Sequence, residues 1–228
     1  MKKVVVLTGA GMSAESGLRT FREMGGLWEE YDVYEVASPG GWEKDRELVL
    51  RFYNERRKQL LETSPNRGHI ALAEMEKDYE VVIVTQNVDD LHERAGSSRI
   101  LHLHGELRKS QSTEDPNLVY EIDGWELNPG DLCEKGSQLR PHVVWFGEAV
   151  PAITEAAELV STADILVIIG TSMNVYPAAG LVGYVPGQAP IYLIDPNEVT
   201  VAGHAGIRVI RKGAGEGVDE LIAILRDE

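Results

Sequence analysis

Four short, uninterrupted runs of apolar residues lie far apart along the chain, and turn-forming residues follow each of them. They cover residues 4–7, 81–84, 165–169 and 191–194. Runs in which every side chain is apolar are typical of strands buried on both faces of a parallel sheet. A weaker apolar run at 99–103 predicts one further strand.

Helical patterns fill the intervals between these predicted strands. Helices are predicted over residues 46–61, 69–77, 88–95, 154–160 and 217–226. Because strands alternate with helices, we expect an α/β fold with a Rossmann-like parallel sheet and helices on both faces.

Two stretches interrupt this alternation and predict a small split module. Residues 23–64 combine a turn-rich loop with the long helix, and residues 107–141 contain several turn signals without a clear apolar period. We therefore expect one domain of 228 residues. Its Rossmann-like part would comprise residues 1–22, 65–106 and 142–228, and the two irregular stretches would meet as the module.

Charge and cysteine content exclude several classes of protein. The chain has 22 basic and 37 acidic residues, a net charge of −15, which disfavours nucleic-acid binding because phosphates would be repelled. Its apolar runs are too short to span a bilayer, so we expect a cytoplasmic protein without membrane contact. The single cysteine, Cys133, excludes an internal disulfide and a four-thiolate zinc site. The oligomeric state stays open, and a monomer is compatible with the sequence.

The first predicted strand runs into Gly9-Ala10-Gly11, the kind of turn on which dinucleotide-binding folds place a pyrophosphate. The next glycine is Gly17, six residues after Gly11, whereas the dehydrogenase fingerprint requires a spacing of three. By itself the turn is compatible equally with phosphate binding and with a tight turn that needs a positive φ.

The residues that follow this turn, together with four later motifs, resemble the sirtuins, NAD-dependent protein lysine deacylases. The opening motif is 9–22, GAGMSAESGLRTFR. The later motifs are TQNVDDLH at 85–92, His104-Gly105, VVWFGE at 143–148, and GTS at 170–172 followed by VYPAA at 175–179. All five occur in the family's order and at plausible spacing, so the chain is identified as a sirtuin catalytic domain.

The resemblance implies that NAD is consumed as a co-substrate. The acyl oxygen of a modified lysine attacks the ribose carbon as nicotinamide leaves. A ribose hydroxyl, activated by the base, then attacks the acyl carbon, and water releases free lysine and O-acyl-ADP-ribose. His104 would be the general base, with Gln86, Asn87 and Asp89 in the nicotinamide and ribose pocket. Val144, Phe146, Gly147 and Glu148 would bind the acyl-lysine peptide. The implied NAD-binding residues are Gly9, Ala10, Gly11, Ser13, Ala14, Glu15, Gly17, Thr20, Phe21, Arg22, Gln86, Asn87, Asp89, Gly170, Thr171, Ser172, Asn197 and Ala214.

Several of these residues also have a purely local interpretation. Asn87 and Asp89 could begin a helix, with Asn87 as its N-cap, and Asn197 could belong to an Asp-Pro-Asn turn. A plain turn explains Gly213-Ala214 nearly as well. His102 lies two residues before His104 and hence on the same face of the chain; with no third ligand at a useful spacing, it is interpreted as structural.

A Tyr-x-x-Arg pair, Tyr53 and Arg56, lies on one face of the predicted helix 46–61. The pattern alone favours a solvated, charge-rich helix. The pair nevertheless resembles the sirtuin branch that removes succinyl and malonyl groups, where it binds the distal carboxylate. We therefore expect acidic acyl-lysines to be preferred, with acetyl-lysine a poorer substrate.

The chain departs from most sirtuins in the interval that holds four zinc-binding cysteines, where it has Cys133 alone. We expect no metal, and expect the module to be stabilised by apolar contacts in its place, drawn from Leu118, Val119, Tyr120, Ile122, Trp125 and Leu127. A mono-ADP-ribosyltransferase and a non-catalytic NAD-binding module remain the alternatives, with a dehydrogenase a weaker one.

Overall fold

The structure, a computed structural model, describes residues 1–18, 31–199, 201 and 206–227. Its strands in chain order are β1 (Lys3–Thr8), β2 (Glu80–Thr85), β3 (Ile100–His102), β4 (Gly105–Ser112), β5 (Val119–Glu121), β6 (Leu139–Val143), β7 (Ile165–Ile169), β8 (Ile191–Ile194) and β9 (Arg208–Ile210). Its helices are α1 (Ala10–Ala14), α2 (Val33–Val36), α3 (Pro39–Lys44), α4 (Arg46–Glu62), α5 (Arg67–Met75), α6 (Leu91–Ala95), α7 (Ile153–Ser161) and α8 (Ala214–Asp227), with a 3₁₀ helix at Ala178–Tyr184.

The larger sheet is parallel, with the strand order β3-β2-β1-β7-β8-β9. Its members include all five strands predicted from the apolar runs, and the Rossmann-like α/β fold is confirmed. The edge strand β9 was missed because two of its three residues, Arg208 and Val209, are exposed, so the segment lacks a buried apolar run.

Both faces of this sheet are covered, which explains the uninterrupted apolar runs in its inner strands. Val4 and Val6 pack in a core with residues of α5 and α8, whereas Val5 and Leu7 pack with residues of α7 and the 3₁₀ helix. Successive side chains of a strand point to opposite faces, so a strand between two helical layers must be apolar throughout.

The second sheet is small and antiparallel, in the order β5-β4-β6. Residues 107–141, in which the sequence showed no clear apolar period, therefore contain regular strands. The pattern was missed because β4 reads GELRKSQS, in which Leu107 is the one aliphatic side chain. Its buried serines, Ser110 and Ser112, have the alternation of a strand but not the hydrophobicity that makes a strand recognisable.

Helix α4 holds the small sheet through two buried polar side chains. Arg57 is fully buried and donates hydrogen bonds to the carbonyl oxygens of Leu107 (2.7 Å) and Trp125 (2.6 Å) and to Asn54 (2.8 Å). Asn54 in turn accepts from the Leu127 N–H and donates to its carbonyl. Burial lowers the pKa of Arg57 to about 10, and nearby Arg108 and Arg56 add to the effect.

The interval in which most sirtuins bind zinc contains a hydrogen-bonded cluster of three buried side chains. The Ser112 and Ser137 hydroxyl oxygens are 2.6 Å apart, and the Cys133 sulfur lies 3.1 Å from Ser137 Oγ. Of the apolar residues expected to stabilise this interval, Ile122 and Leu127 are buried. Val119 is exposed, so it contributes no core contact.

Within the described ranges, no helix has both the length and the apolar character needed to cross a membrane.

Candidate active site

A cavity of about 660 Å³ opens at the carboxyl ends of the parallel strands, between the large sheet and helix α4. The strand order reverses direction between β1 and β7, and open α/β sheets bind ligands at such a reversal. The volume of the cavity lies in the range of small-molecule sites, which is about 300–1,000 Å³.

The glycines of the first turn allow two segments of backbone to touch at the floor of this cavity. A Cβ on Gly9 would lie 2.7 Å from the Gly170 carbonyl oxygen, and one on Gly170 would lie 2.3 Å from the Met12 nitrogen. Gly9 has φ of −128°, so a need for positive φ does not explain it. The close approach of the two backbones explains why glycine is required at Gly9. At Gly170, glycine is also favoured by its φ of +60°.

The loop after β2 is tied to the loops after β1 and β7 through side-chain amides. Asn87 Nδ2 donates to the Gly9 carbonyl (2.9 Å) and to Ser13 Oγ (3.2 Å). Gln86 Nε2 donates to Thr171 Oγ1 across 3.1 Å. In-register pairing of Thr8 with Thr85 brings these loops to one edge of the sheet, as the sequence predicted.

Asn87 is not a helix cap, because α6 begins at Leu91 and its N-cap is Asp90. Asp89 precedes that cap and is buried. It accepts hydrogen bonds from Ser13 Oγ (2.9 Å) and from the Leu91 N–H (3.2 Å). Burial raises the pKa of Asp89, although both hydrogen bonds oppose the rise. The polar groups of this loop therefore form one connected network at the cavity.

His104 follows β3 and lines the cavity. Its Nδ1 lies 3.0 Å from the carbonyl oxygen of Gln86. Because a carbonyl can only accept, Nδ1 carries the proton in this contact and Nε2 of the neutral ring keeps a free lone pair. Burial lowers the pKa of His104, and the hydrogen bond to Gln86 opposes the shift. The ring is therefore suited to accept a proton near neutral pH.

Residues 143–148, which were predicted to bind the peptide, form another wall of the cavity. The Val144 N–H donates to the His104 carbonyl, and the Phe146 N–H donates to the Ala37 carbonyl, each across 2.9 Å. Phe146 and Gly147 are exposed at the rim. The Glu148 carboxylate lines the cavity and is already bound by Arg140 (2.6 and 3.1 Å) and by the Trp145 N–H (2.7 Å).

Tyr53 and Arg56 both line the same cavity from helix α4. Tyr53 is 1% exposed, and burial raises its pKa, so its hydroxyl stays protonated. The Arg56 guanidinium carbon lies 5.5 Å from the centre of the Phe52 ring and 6.0 Å from that of Tyr53. The solvated-helix interpretation therefore does not describe this face of α4.

The remaining predicted NAD-binding residues divide into three groups. Ala10, Gly11, Ser13, Thr171, Ser172 and Asn197 line the cavity with the residues already described. In the part of the chain that the structure describes, the cavity wall leaves out Ala14, Glu15, Gly17 and Ala214. Of these, Glu15 accepts the Gly215 N–H at the start of α8 (3.2 Å). Thr20, Phe21 and Arg22 lie outside the described residues.

Sequence reasoning missed two contributors to the site. The Trp145 indole N–H donates to the Tyr53 hydroxyl across 3.0 Å, and the Arg140 guanidinium carbon lies 3.4 Å from the centre of the Trp145 ring. Trp145 lies inside a motif that was recognised, but a buried tryptophan is ordinarily interpreted as core. Arg140 lies three residues before the first residue of that motif.

Comparison with known proteins agrees with this geometry. A sequence model of the Sir2 family matches residues 9–177. A protein of Bacteroides thetaiotaomicron called NAD-dependent protein deacylase is 59% identical over 99% of this chain and 98% of its own length. The chain belongs to the Sir2 family.

Solved structures of Sir2 homologues support the same assignment. One, a mutant in complex with ADP-ribose, superposes with a TM-score of 0.91 at 42% identity, covering 99% of this chain and 92% of the other. Another, a complex with NAD, has a TM-score of 0.89 at 42% identity, with 99% and 90% covered. The resemblance to sirtuins and the fold that it implied are confirmed.

Proposed function

We propose that this Sir2 protein removes acyl groups from protein lysines in an NAD-dependent reaction and prefers acyl groups that end in a carboxylate, such as succinyl and malonyl. NAD-dependent protein deacylation follows from the family and from the relative that is 59% identical. The preference is carried by one observation: Tyr53 and Arg56 line the same cavity as His104.

The donors and acceptors along the cavity fit a dinucleotide. After β7, the cavity wall offers the hydroxyl groups of Thr171 and Ser172, and after β8 it offers the side chain of Asn197. All three side chains can hydrogen-bond to the hydroxyl groups of ribose. At the β1 end, Gly9 and Gly11 leave the backbone uncovered by side chains. When bound, NAD supplies the ribose carbon that accepts the acyl oxygen as nicotinamide leaves.

The chain's own residues would position the reactants and move one proton. His104 Nε2 would take the proton from a ribose hydroxyl, since its Nδ1 is held by the Gln86 carbonyl. Asn87 and Asp89 would fix the walls of the nicotinamide end through their bonds to Ser13. The products would be nicotinamide, free lysine and O-acyl-ADP-ribose.

The acyl preference rests on the chemistry of a carboxylate in a partly closed site. Burying an unpaired carboxylate is costly, so a site that accepts one must offer a cation and hydrogen-bond donors. Arg56 offers a planar fork of donors, and Tyr53 offers a protonated hydroxyl. An acetyl group offers neither a negative charge nor carboxylate oxygens to these two side chains.

The decisive experiment compares kcat/KM for one peptide carrying succinyl-, malonyl- or acetyl-lysine. The wild type should favour the two acidic groups, and Arg56→Met should lose that preference while retaining acetyl-lysine activity. Arg51→Met is the matched control, because Arg51 lies on the exposed side of the same helix. Equal wild-type values, or an unchanged preference in Arg56→Met, would refute the proposal.

The same assay separates deacylation from ADP-ribosyl transfer to protein. Nicotinamide release should require the acylated peptide and should stop with its unmodified counterpart. Release that continues without an acyl-lysine would favour a mono-ADP-ribosyltransferase.

We also propose that the small module functions without zinc. Its interval offers one thiol, and the neighbouring hydroxyls of Ser112 and Ser137 are poor zinc ligands beside thiolates. Metal analysis of tag-free protein should find zinc well below one equivalent, and a stoichiometric amount would overturn this proposal.

A further inference from the structure

Two histidines on one face of the chain hold two consecutive carbonyl groups of the loop after β2. His104 Nδ1 lies 3.0 Å from the Gln86 carbonyl oxygen, and His102 Nδ1 lies 3.1 Å from the Asn87 carbonyl oxygen. The repeat arises because side chains two apart on an extended chain share a face. One histidine faces the cavity, whereas the other is unused in the proposed reaction.

The second nitrogen of His102 is also occupied, by a carboxylate. Its Nε2 lies 2.7 Å from Glu93 Oε1. A carbonyl and an ionised carboxylate both accept, so these two contacts favour the form of the ring in which both nitrogens donate. Burial alone would lower the pKa of His102, but the hydrogen bond and charge of Glu93 outweigh it and the pKa is raised. Conversely, His102 lowers the pKa of Glu93 in spite of burial.

Other charges near this pair complete its environment. Glu106 adds a further favourable charge for the imidazolium. Lys109 Nζ lies 2.9 Å from Glu106 and 3.6 Å from Glu121, so these charges are themselves paired. Glu93 belongs to α6, and the pair therefore links that helix to the end of β3 and, through His102 Nδ1, to the loop between β2 and α6.

Asn87, whose carbonyl contacts His102, is also the residue whose side chain connects the loop after β2 to the residues that follow β1. Its carbonyl is fixed by His102, while its amide donates to the Gly9 carbonyl and to Ser13 Oγ. Rotation of the peptide unit that contains the Asn87 carbonyl would break the bond to His102.

We propose that His102, held in place by Glu93, is a positioning residue that orients Asn87 at the nicotinamide end of the cavity. This inference rests on the proposed role of Asn87. His102 does not itself line the cavity, so it acts through Asn87.

Two substitutions separate this role from simple stabilisation of the fold. In His102→Asn the amide nitrogen takes the place of Nδ1 and can still donate to the Asn87 carbonyl, whereas the contact with Glu93 is lost. In His102→Gln the amide reaches the place of Nε2 and keeps Glu93, whereas the Asn87 carbonyl loses its donor. The measurements are kcat and KM for NAD, inhibition by added nicotinamide, and the thermal midpoint.

We expect His102→Gln to lower kcat/KM for NAD by roughly tenfold and to weaken nicotinamide inhibition by a similar factor, which corresponds to about 1.4 kcal/mol. His102→Asn should remain within about twofold of the wild type in both. The opposite order, or equal losses that follow the thermal midpoint, would refute the inference. If His102→Gln fails to fold, the Asn variant decides alone, since a folded but impaired His102→Asn is incompatible with the proposal.

Asn87→Ala distinguishes failure of this inference from failure of the proposed function. If that variant remains active, the role of Asn87 is wrong. If it is inactive while His102→Gln is unimpaired, only the positioning role of His102 is refuted.

Discussion

The Trp145 indole N–H donates to the Tyr53 hydroxyl oxygen across 3.0 Å, joining segment 143–148 to helix α4. The oxygen therefore accepts, and its own proton is left to donate. The described part of the chain provides no acceptor for that proton, and Tyr53 lines the cavity. Trp145 thus turns the Tyr53 hydroxyl toward the space in which a substrate carboxylate would lie.

Trp145→Phe should therefore reduce activity on succinyl-lysine more than on acetyl-lysine. The ring remains, but Tyr53 is no longer oriented, and losing the value of one hydrogen bond lowers kcat/KM for the succinyl peptide roughly threefold to tenfold. Steady-state kinetics with both peptides measure the ratio.

Trp42→Phe is the control for this variant. Trp42 packs on Trp145 with ring centres 5.7 Å apart, so the substitution alters the same cluster without touching the bond to Tyr53. Equal changes in selectivity from both variants would contradict the role given to Trp145.

Activity should depend on pH through His104. The base works with Nε2 unprotonated, so kcat/KM falls as pH decreases through the pKa of His104, which burial places below its ordinary value of 6.5. An acid limb centred below that value is expected, and a midpoint above it would contradict the assignment. His104→Ala should lower kcat by roughly 10²–10⁴-fold, the usual contribution of a general base, with the fold intact by circular dichroism.

Two buried histidines outside the cavity should make stability depend on pH. The rings of His69 and His92 lie 4.8 Å apart, and burial lowers the pKa of His69 to about 4 and that of His92 well below its ordinary value. Unfolding restores ordinary values, so the unfolded chain binds more protons than the folded one between about pH 6.5 and pH 4. The stability is full above that window and is lost as pH falls through it.

For His69, the free energy of unfolding that is lost across this pH window is up to about 3 kcal/mol. Urea unfolding of the wild type and of His69→Asn at several pH values measures the difference. Asn can accept the Asn66 N–H in place of His69 Nδ1 but does not titrate. A pH dependence of the same size in both proteins would show that His69 is not responsible.

The hydroxyl–thiol cluster of the small module should contribute to stability. Ser137→Ala removes the partner of both Ser112 and Cys133 and should cost about 1–3 kcal/mol, because the remaining groups stay buried. Ser161→Ala, at the exposed end of α7, should change the free energy of unfolding by less than about 0.5 kcal/mol. Chemical denaturation compares them, and a neutral Ser137→Ala would mean that the cluster does not hold the module together.

The large sheet could be predicted because both of its faces are covered. That burial forces apolar residues into every position of strands such as β7, and the resulting run is visible in the sequence. The polar residues at the strand ends followed from the same logic, because carboxyl ends of parallel strands share an edge. Residue spacing alone did not predict which of those polar residues face the cavity. The resemblance to the sirtuin motifs did.

The small module could not be predicted in the same way because polar contacts hold it. Arg57 lies in an Asn-Glu-Arg-Arg sequence that is typical of a solvated helix, yet it is fully buried. Its partners are backbone carbonyls 50 and 68 residues away, which no local pattern can indicate. Trp145, His102 and Glu93 were missed for the same reason, since each acts through a contact that the fold creates.

Neighbouring residues of helix α4 contact two different parts of the molecule. Tyr53 and Arg56 face the cavity, whereas Asn54 and Arg57 fasten the small sheet. Under the proposed function, redesign of the acyl preference would vary positions 53 and 56 and keep Asn54 and Arg57, with a side chain at 53 that still fills the buried space. Libraries randomised across all four positions would mostly return chains that no longer assemble.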